Sequence, residues 1–66
     1  MQILLTGGTG LVGRALCRHF KQQGCQLIVL SRQPDKVAGL CSGARGILTL
    51  DELNSGEPVD VVINLA

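Results

Sequence analysis

Sixty-six residues with one Phe, no Tyr and no Trp need an aliphatic core, and a chain of this size buries only about 60% of its unfolded surface. A hydrophobic content of 45% is globular rather than disordered, and a net charge of +1 gives no electrostatic case for nucleic acid or an anionic membrane as partner. No apolar run approaches the ~20 residues of a membrane-spanning helix, and strand signal from the second residue leaves no room for a targeting peptide, so a cytoplasmic protein is expected.

The first strand is predicted over residues 2–6, on the apolar run Ile3-Leu4-Leu5. It leads straight into Thr6-Gly7-Gly8-Thr9-Gly10-Leu11-Val12-Gly13. There Gly8, Gly10 and Gly13 keep G-x-G-x-x-G spacing, and Gly7, Gly10 and Gly13 a G-x-x-G-x-x-G variant. Each glycine answers a different need: a sharp turn off the strand, a backbone without Cβ against a pyrophosphate, and close packing of the next helix on the strand. That helix offers its unpaired N–H groups and positive dipole end to phosphates. The bland alternative is a glycine-rich turn with no ligand. Placement between a strand and a helix favours the ligand.

The helix is predicted over residues 11–23, with Leu11, Val12, Ala15, Leu16 and Phe20 on a stripe of near-3.6 period. Arg14, Arg18, Lys21 and Gln22 fall on the wet side, and Gly24 supplies the C′ stop. Residues 25–30 form the second strand; Pro34 and Asp35 suit the first turn of a short helix running to about Leu40. A loop over 42–46 precedes a third strand at 47–50, and residues 51–58 connect it to a last strand at 59–66. The result is an α/β fold with a doubly wound parallel sheet in the order 3-2-1-4.

A crossover usually takes a dozen residues or more, and residues 51–58 fall short of that. Either Asp51–Gly56 makes one helical turn in a stretched crossover, or the third strand is shorter than drawn. The last strand, Val59 to Ala66, would be buried on both faces and needs helices to cover it. The chain is therefore expected to be the N-terminal piece of a longer protein.

Three cysteines, Cys17, Cys25 and Cys41, lack C-x-x-C spacing and read as buried or idle thiols of a reducing compartment. His19 has Gln23 at i+4, so no metal site is expected. Where the second strand ends, dinucleotide folds place an acid that accepts hydrogen bonds from the adenosine ribose. This chain has Ser31-Arg32 there instead. An arginine fork and a serine hydroxyl suit a 2′-phosphate, which favours NADP over NAD. A solvated loop arginine is the bland reading of Arg32, and Asp35 is a weaker rival as a 2′-hydroxyl acceptor. A P-loop reading has the glycine spacing, and Asp51 and Glu52 could act as metal-binding acids. It fails at Arg14, where the phosphate-binding lysine belongs, and at Ala15, where Ser or Thr must hold magnesium.

The glycine loop, the Ser-Arg pair and Asp60-Val61-Val62-Ile63-Asn64-Leu65-Ala66 together resemble the N-terminal end of an extended short-chain dehydrogenase/reductase. The likeness is to the NAD(P)-dependent epimerase/dehydratase branch and, within it, to the "epimerase family" proteins. It covers nearly the whole chain and implies the first part of a Rossmann-type NAD(P)-binding domain. It places Gly7, Thr9, Gly10, Leu11, Val12 and Gly13 at the phosphates, Ser31 and Arg32 at the 2′-phosphate, and Leu65 and Ala66 beside the cofactor. Asp51 would meet the adenine amine. The family's acid/base unit, Tyr-x-x-x-Lys with a Ser or Thr, has no counterpart here, since the chain has no tyrosine. No catalytic residue is therefore expected within it. The resemblance implies hydride transfer on a small molecule, of which a nucleotide sugar is one candidate. A non-enzymatic NADP-binding regulator is the alternative.

Overall fold

The computed structural model describes residues 1–7, 10–41, 43–53 and 58–65. Thr9 and Ala66 of the expected cofactor contacts lie outside the described residues, as do Gly8 of the glycine motif and the second half of the proposed turn at 51–56.

The elements run β1 (Gln2–Thr6), α1 (Leu11–Gln22), β2 (Gln26–Leu30), a 3-10 turn (Pro34–Lys36), α2 (Val37–Leu40), β3 (Arg45–Ile47), a second 3-10 turn (Leu50–Glu52) and β4 (Val61–Asn64). The strands are parallel and ordered β3-β2-β1-β4, as expected. The pleat sends alternate residues to opposite faces. Ile3, Leu5, Leu27 and Val29 pack with Cys17 of α1 and with Val37 and Cys41 around α2. Leu4, Ile28 and Ile47 form the other face, covered by Leu53 and Val59 of the β3–β4 connection. Both helices thus lie on one face and the connection on the other. Each fully buried aliphatic side chain in these layers contributes about 1.5–3 kcal/mol.

The end of α1 shows how local sequence sets the geometry. Gly24 takes φ +78, the left-handed conformation that glycine adopts without cost. Its N–H donates to the Lys21 carbonyl at 3.0 Å, and the Cys25 N–H donates to the Phe20 carbonyl at 3.0 Å. This pair of bonds is a Schellman stop, and it turns the chain into β2.

Three expectations need correction. On α1 the buried positions are Gly13 and Cys17, with Leu16 and Phe20 half-buried, whereas Leu11, Val12 and Ala15 are exposed. Gly13 and Cys17, one turn apart, define the side of α1 that faces the sheet, and Leu11, Val12 and Ala15 fall off that side. β3 occupies 45–47 instead of 47–50. Thr49 and Glu52 form a capping box around the second 3-10 turn, which withdraws residues 48–50 from the sheet. β4 is confined to 61–64, because Asp60 is spent on a clasp to β1. The Asp60 N–H donates to the Gln2 carbonyl at 2.8 Å, and its carboxylate accepts from the Gln2 N–H at 2.8 Å. With β3 ending at Ile47 and β4 starting at Val61, the crossover gains the dozen or so residues it needs.

Among the described residues, no helix is long and apolar enough to cross a membrane, and no three His, Cys, Asp or Glu residues cluster as a metal site would require.

Candidate dinucleotide site

The chain leaves β1 toward β2 on one side, while β4 lies on the other. In open parallel sheets such a switch point opens a crevice at the carboxyl ends of the strands, where ligands bind. Thr6, Leu30 and Asn64 are the last residues of β1, β2 and β4.

Gly7 takes φ +73, a conformation that side chains rarely adopt, so the turn off β1 requires glycine there. Gly10 is the N-cap of α1, with φ −76 and ψ −179, and no side chain caps the helix. Its carbonyl accepts the first helical bond, from the Arg14 N–H at 2.9 Å. A Cβ added to Gly10 would meet no atom of the described residues within 4 Å. Glycine at this position is therefore not demanded by protein packing, and the space its missing side chain leaves is open. The first turn of α1 carries no acid, so no carboxylate of that turn offsets its dipole end. Gly13 is buried in α1, consistent with close helix–sheet packing.

Beside this loop lies a cleft of about 610 Å³ lined by Thr6, Gly7, Leu30, Ser31, Arg32, Gln33 and Leu48. It brings Gly7 together with the Ser31-Arg32 pair, as the sequence led us to expect. Ser31 extends the β2–β3 ladder, its N–H donating to the Ile47 carbonyl at 2.9 Å. Its Oγ accepts from the Gln33 N–H at 3.1 Å, which directs the hydroxyl proton away from the backbone and leaves Ser31 able to donate. Arg32 is exposed at the cleft. A hydroxyl donor, a guanidinium and an open glycine cradle at strand tips fit the phosphates and adenosine of a dinucleotide.

Gln33 and Leu48 were not anticipated. Leu48 is 54% exposed, and its backbone is pinned from below by Glu52. The Glu52 carboxylate accepts from the N–H groups of Leu48 and, at 3.0 Å, Thr49. These backbone donors, Thr49 first, hold the Glu52 carboxyl below its usual range. Arg45 Nη2 donates to the Glu52 carbonyl at 2.8 Å, tying the turn to β3.

Other expected residues are placed as follows. Leu11 and Val12 are 79% and 65% exposed at the start of α1. The Leu65 N–H donates to the Thr6 carbonyl at 2.9 Å, which sets it at the tip of β1. Asp51 is exposed on the second 3-10 turn and is not among the residues lining the cleft.

Comparison with known proteins agrees with this geometry. The model of the NAD dependent epimerase/dehydratase family matches residues 3–66. The mouse "Epimerase family protein SDR39U1" is 40% identical over 68 aligned residues, covering 100% of this chain and 20% of that protein. The chain thus spans a fifth of the length of the curated relative it matches. A crystal structure of a protein from Lactobacillus casei superposes with a TM-score of 0.77 at 24% identity, covering 100% of this chain and 32% of that one, which bears on the fold. The family description implies a nicotinamide dinucleotide cofactor. On the family match, which runs over nearly the whole sequence, the chain belongs to the NAD dependent epimerase/dehydratase family.

Proposed function

We propose that these residues are the cofactor-binding N-terminal segment of an NADP-dependent oxidoreductase of the epimerase/dehydratase type. The observation that carries this reading is the cleft at the strand tips, where Ser31 and Arg32 meet Gly7. Gly7, Thr9, Gly10, Leu11, Val12 and Gly13 form the loop that receives the pyrophosphate against the start of α1. Ser31 donates its hydroxyl proton to the 2′-phosphate, and Arg32 offers a two-pronged guanidinium. Leu48 gives the adenosine an apolar wall, and Asp51 on the following turn is the acceptor we assign to the adenine amine. Leu65, which follows β4, and Ala66 are assigned to the cofactor as well. The bound nicotinamide supplies the hydride chemistry. The chain's own part is to bind, orient and desolvate.

The 66 residues hold no tyrosine, and the role we assign to them is confined to the cofactor. The same absence keeps one second reading in play, an NADP-binding regulator without catalysis. Calorimetric titration of the full-length protein with NADP and NAD tests the proposal. It expects NADP to bind at least about tenfold more tightly, a difference of 1.4 kcal/mol. Equal affinities overturn the NADP assignment, and no binding of either overturns the site. Turnover assays with the cofactor that binds then separate enzyme from regulator.

A further inference from the structure

Gly46 lies in β3 opposite Val29 of β2, and its φ is not among the positive ones. Backbone conformation therefore does not explain a glycine in mid-strand, where glycine ordinarily weakens pairing. Space explains it. A Cβ on Gly46 would overlap the Pro34 carbonyl oxygen and come within 3.0 Å of both the Pro34 carbonyl carbon and Val37 Cβ. The start of the first 3-10 turn is thus seated directly on the backbone of β3.

That seat closes one end of a short span whose other end is also tied to β3. At the near end the Ser31 N–H donates to the Ile47 carbonyl. Within the span the Gln33 N–H reaches back to Ser31 Oγ at 3.1 Å, and the Lys36 N–H donates to the Gln33 carbonyl at 3.0 Å. At the far end Pro34, whose ring fixes its own φ, rests on Gly46. Arg32 sits in the middle, with its backbone held from both sides by adjacent residues of one strand, Gly46 and Ile47.

We infer that Gly46 is a positioning residue for cofactor selectivity: by admitting the Pro34 carbonyl against β3, it sets where Ser31 and Arg32 meet a 2′-phosphate. The inference rests on the assignment of those two residues to that phosphate. A side chain at position 46 lifts Pro34 and rotates the turn, and the misplacement falls on a bidentate contact that tolerates little. NAD makes no use of this contact, while both cofactors use the glycine loop.

The test compares Gly46→Ala, Arg32→Ala, the double variant and wild type in the full-length protein, by calorimetric titration with NADP and NAD. Losing hydrogen bonds to a charged group lowers affinity roughly 10- to 100-fold, so Gly46→Ala should weaken NADP by up to that factor and leave NAD unchanged. The double variant should lose less NADP affinity than the two single losses combined, because both act on the same contact. If Arg32→Ala is selective but Gly46→Ala lowers both cofactors equally, or neither, the inference falls and the phosphate assignment stands. If Arg32→Ala changes nothing, the phosphate assignment falls first and takes the inference with it. Should Gly46→Ala fail to fold, Pro34→Gly decides. It frees the seated turn without adding a side chain, and it too must weaken NADP selectively; an unchanged NADP/NAD ratio overturns the inference.

Discussion

Thr6 Oγ1 donates a 2.6 Å hydrogen bond to Asn64 Oδ1, side chain to side chain, between residues paired in the β1–β4 register. With the Leu65 N–H bonded to the Thr6 carbonyl one step further on, the bond ties β4 to β1 at the switch point, and Thr6 also lines the candidate cleft on the β2 side. It also fixes the Asn64 amide, whose oxygen is committed to Thr6. Thr6→Val keeps the shape and removes the donor. A neutral hydrogen bond of this kind contributes about 0.5–1.5 kcal/mol, and its partial exposure places it toward the lower end. Chemical denaturation of the full-length protein should show that loss, with a modest drop in cofactor affinity beside it. An unchanged midpoint and an unchanged affinity would mean the bond does no more than water would.

Gly10 separates binding from folding. Valine there gains a Cβ that meets none of the described residues, and the extended backbone at the N-cap is one it can adopt. The cost to stability is the poorer capping, about 1 kcal/mol. In the complex the same side chain stands where the pyrophosphate approaches. Overlap of 1–3 kcal/mol in a packed site corresponds to roughly 10- to 100-fold in affinity. Gly10→Val should therefore stay folded by circular dichroism and lose both NADP and NAD. Retention of wild-type affinity would remove the phosphate loop from the site.

The parts of this fold that were legible in the sequence are those governed by local rules. β1, α1 and β2 lie within a residue of expectation because apolar runs bounded by glycines leave few alternatives. β3 was misdrawn because Ile47-Leu48-Thr49-Leu50 reads as a strand, and the Thr-x-x-Glu pattern at Thr49 and Glu52, which marks a capping box, was the signal passed over. The helix face was misjudged at Leu11, Val12 and Ala15, because the side that packs on the sheet runs through the small residues Gly13 and Cys17. Gln33 and Leu48 reach the cleft only through tertiary placement, and no spacing rule singles them out. The Gly46–Pro34 contact joins two segments whose approach depends on how β3 pairs with β2.

Arg32 should discriminate cofactors. A hydrogen bond to a charged group contributes about 1.5–3 kcal/mol, so Arg32→Ala is expected to lower NADP affinity roughly 10- to 100-fold with NAD little changed. Its guanidinium is exposed, so the smaller figure is favoured in salt. Paired titrations at two ionic strengths check it: the wild-type preference for NADP should shrink as salt rises, and the variant's should not respond. Equal losses for the two cofactors would show that Arg32 does not read the 2′-phosphate.

Cys17 sets an alkaline limit. Burial, with the hydrogen bond and charge interaction of the neighbouring Cys41 thiol behind it, pushes its pKa from 9.0 to about 12. The folded state thus holds this proton more tightly than the unfolded one. The stability it confers is complete below pH 9 and is lost as pH rises toward 12. Thiolate is the reactive form, so Cys17 should resist alkylation at neutral pH, whereas Cys25, which is half-buried, should be modified first. Mass spectrometry of a time course with iodoacetamide reads the order directly. Rapid labelling of Cys17 in folded protein would contradict its burial, and Cys17→Val should flatten the decline in stability above pH 9.

Glu52 sets the complementary acid limit. Its carboxyl is held low by the Thr49 and Leu48 N–H groups, with Arg45 adding a smaller attraction. A depressed carboxyl contributes stability that is present above its ordinary value and lost as pH falls through the folded value. Protonation weakens both backbone bonds to this carboxylate, from Leu48 and Thr49, and Leu48 loses the anchor that holds it at the cleft. Acidification below the ordinary carboxylate range should therefore weaken NADP binding before the sheet unfolds. Glu52→Ala should reproduce that weakening at neutral pH and make it insensitive to acid over the same range. Glu52→Gln, which keeps an acceptor for the two N–H groups, should fall between. If Glu52→Ala left both the affinity and its acid dependence as in the wild type, Leu48 would have no part in holding the adenosine.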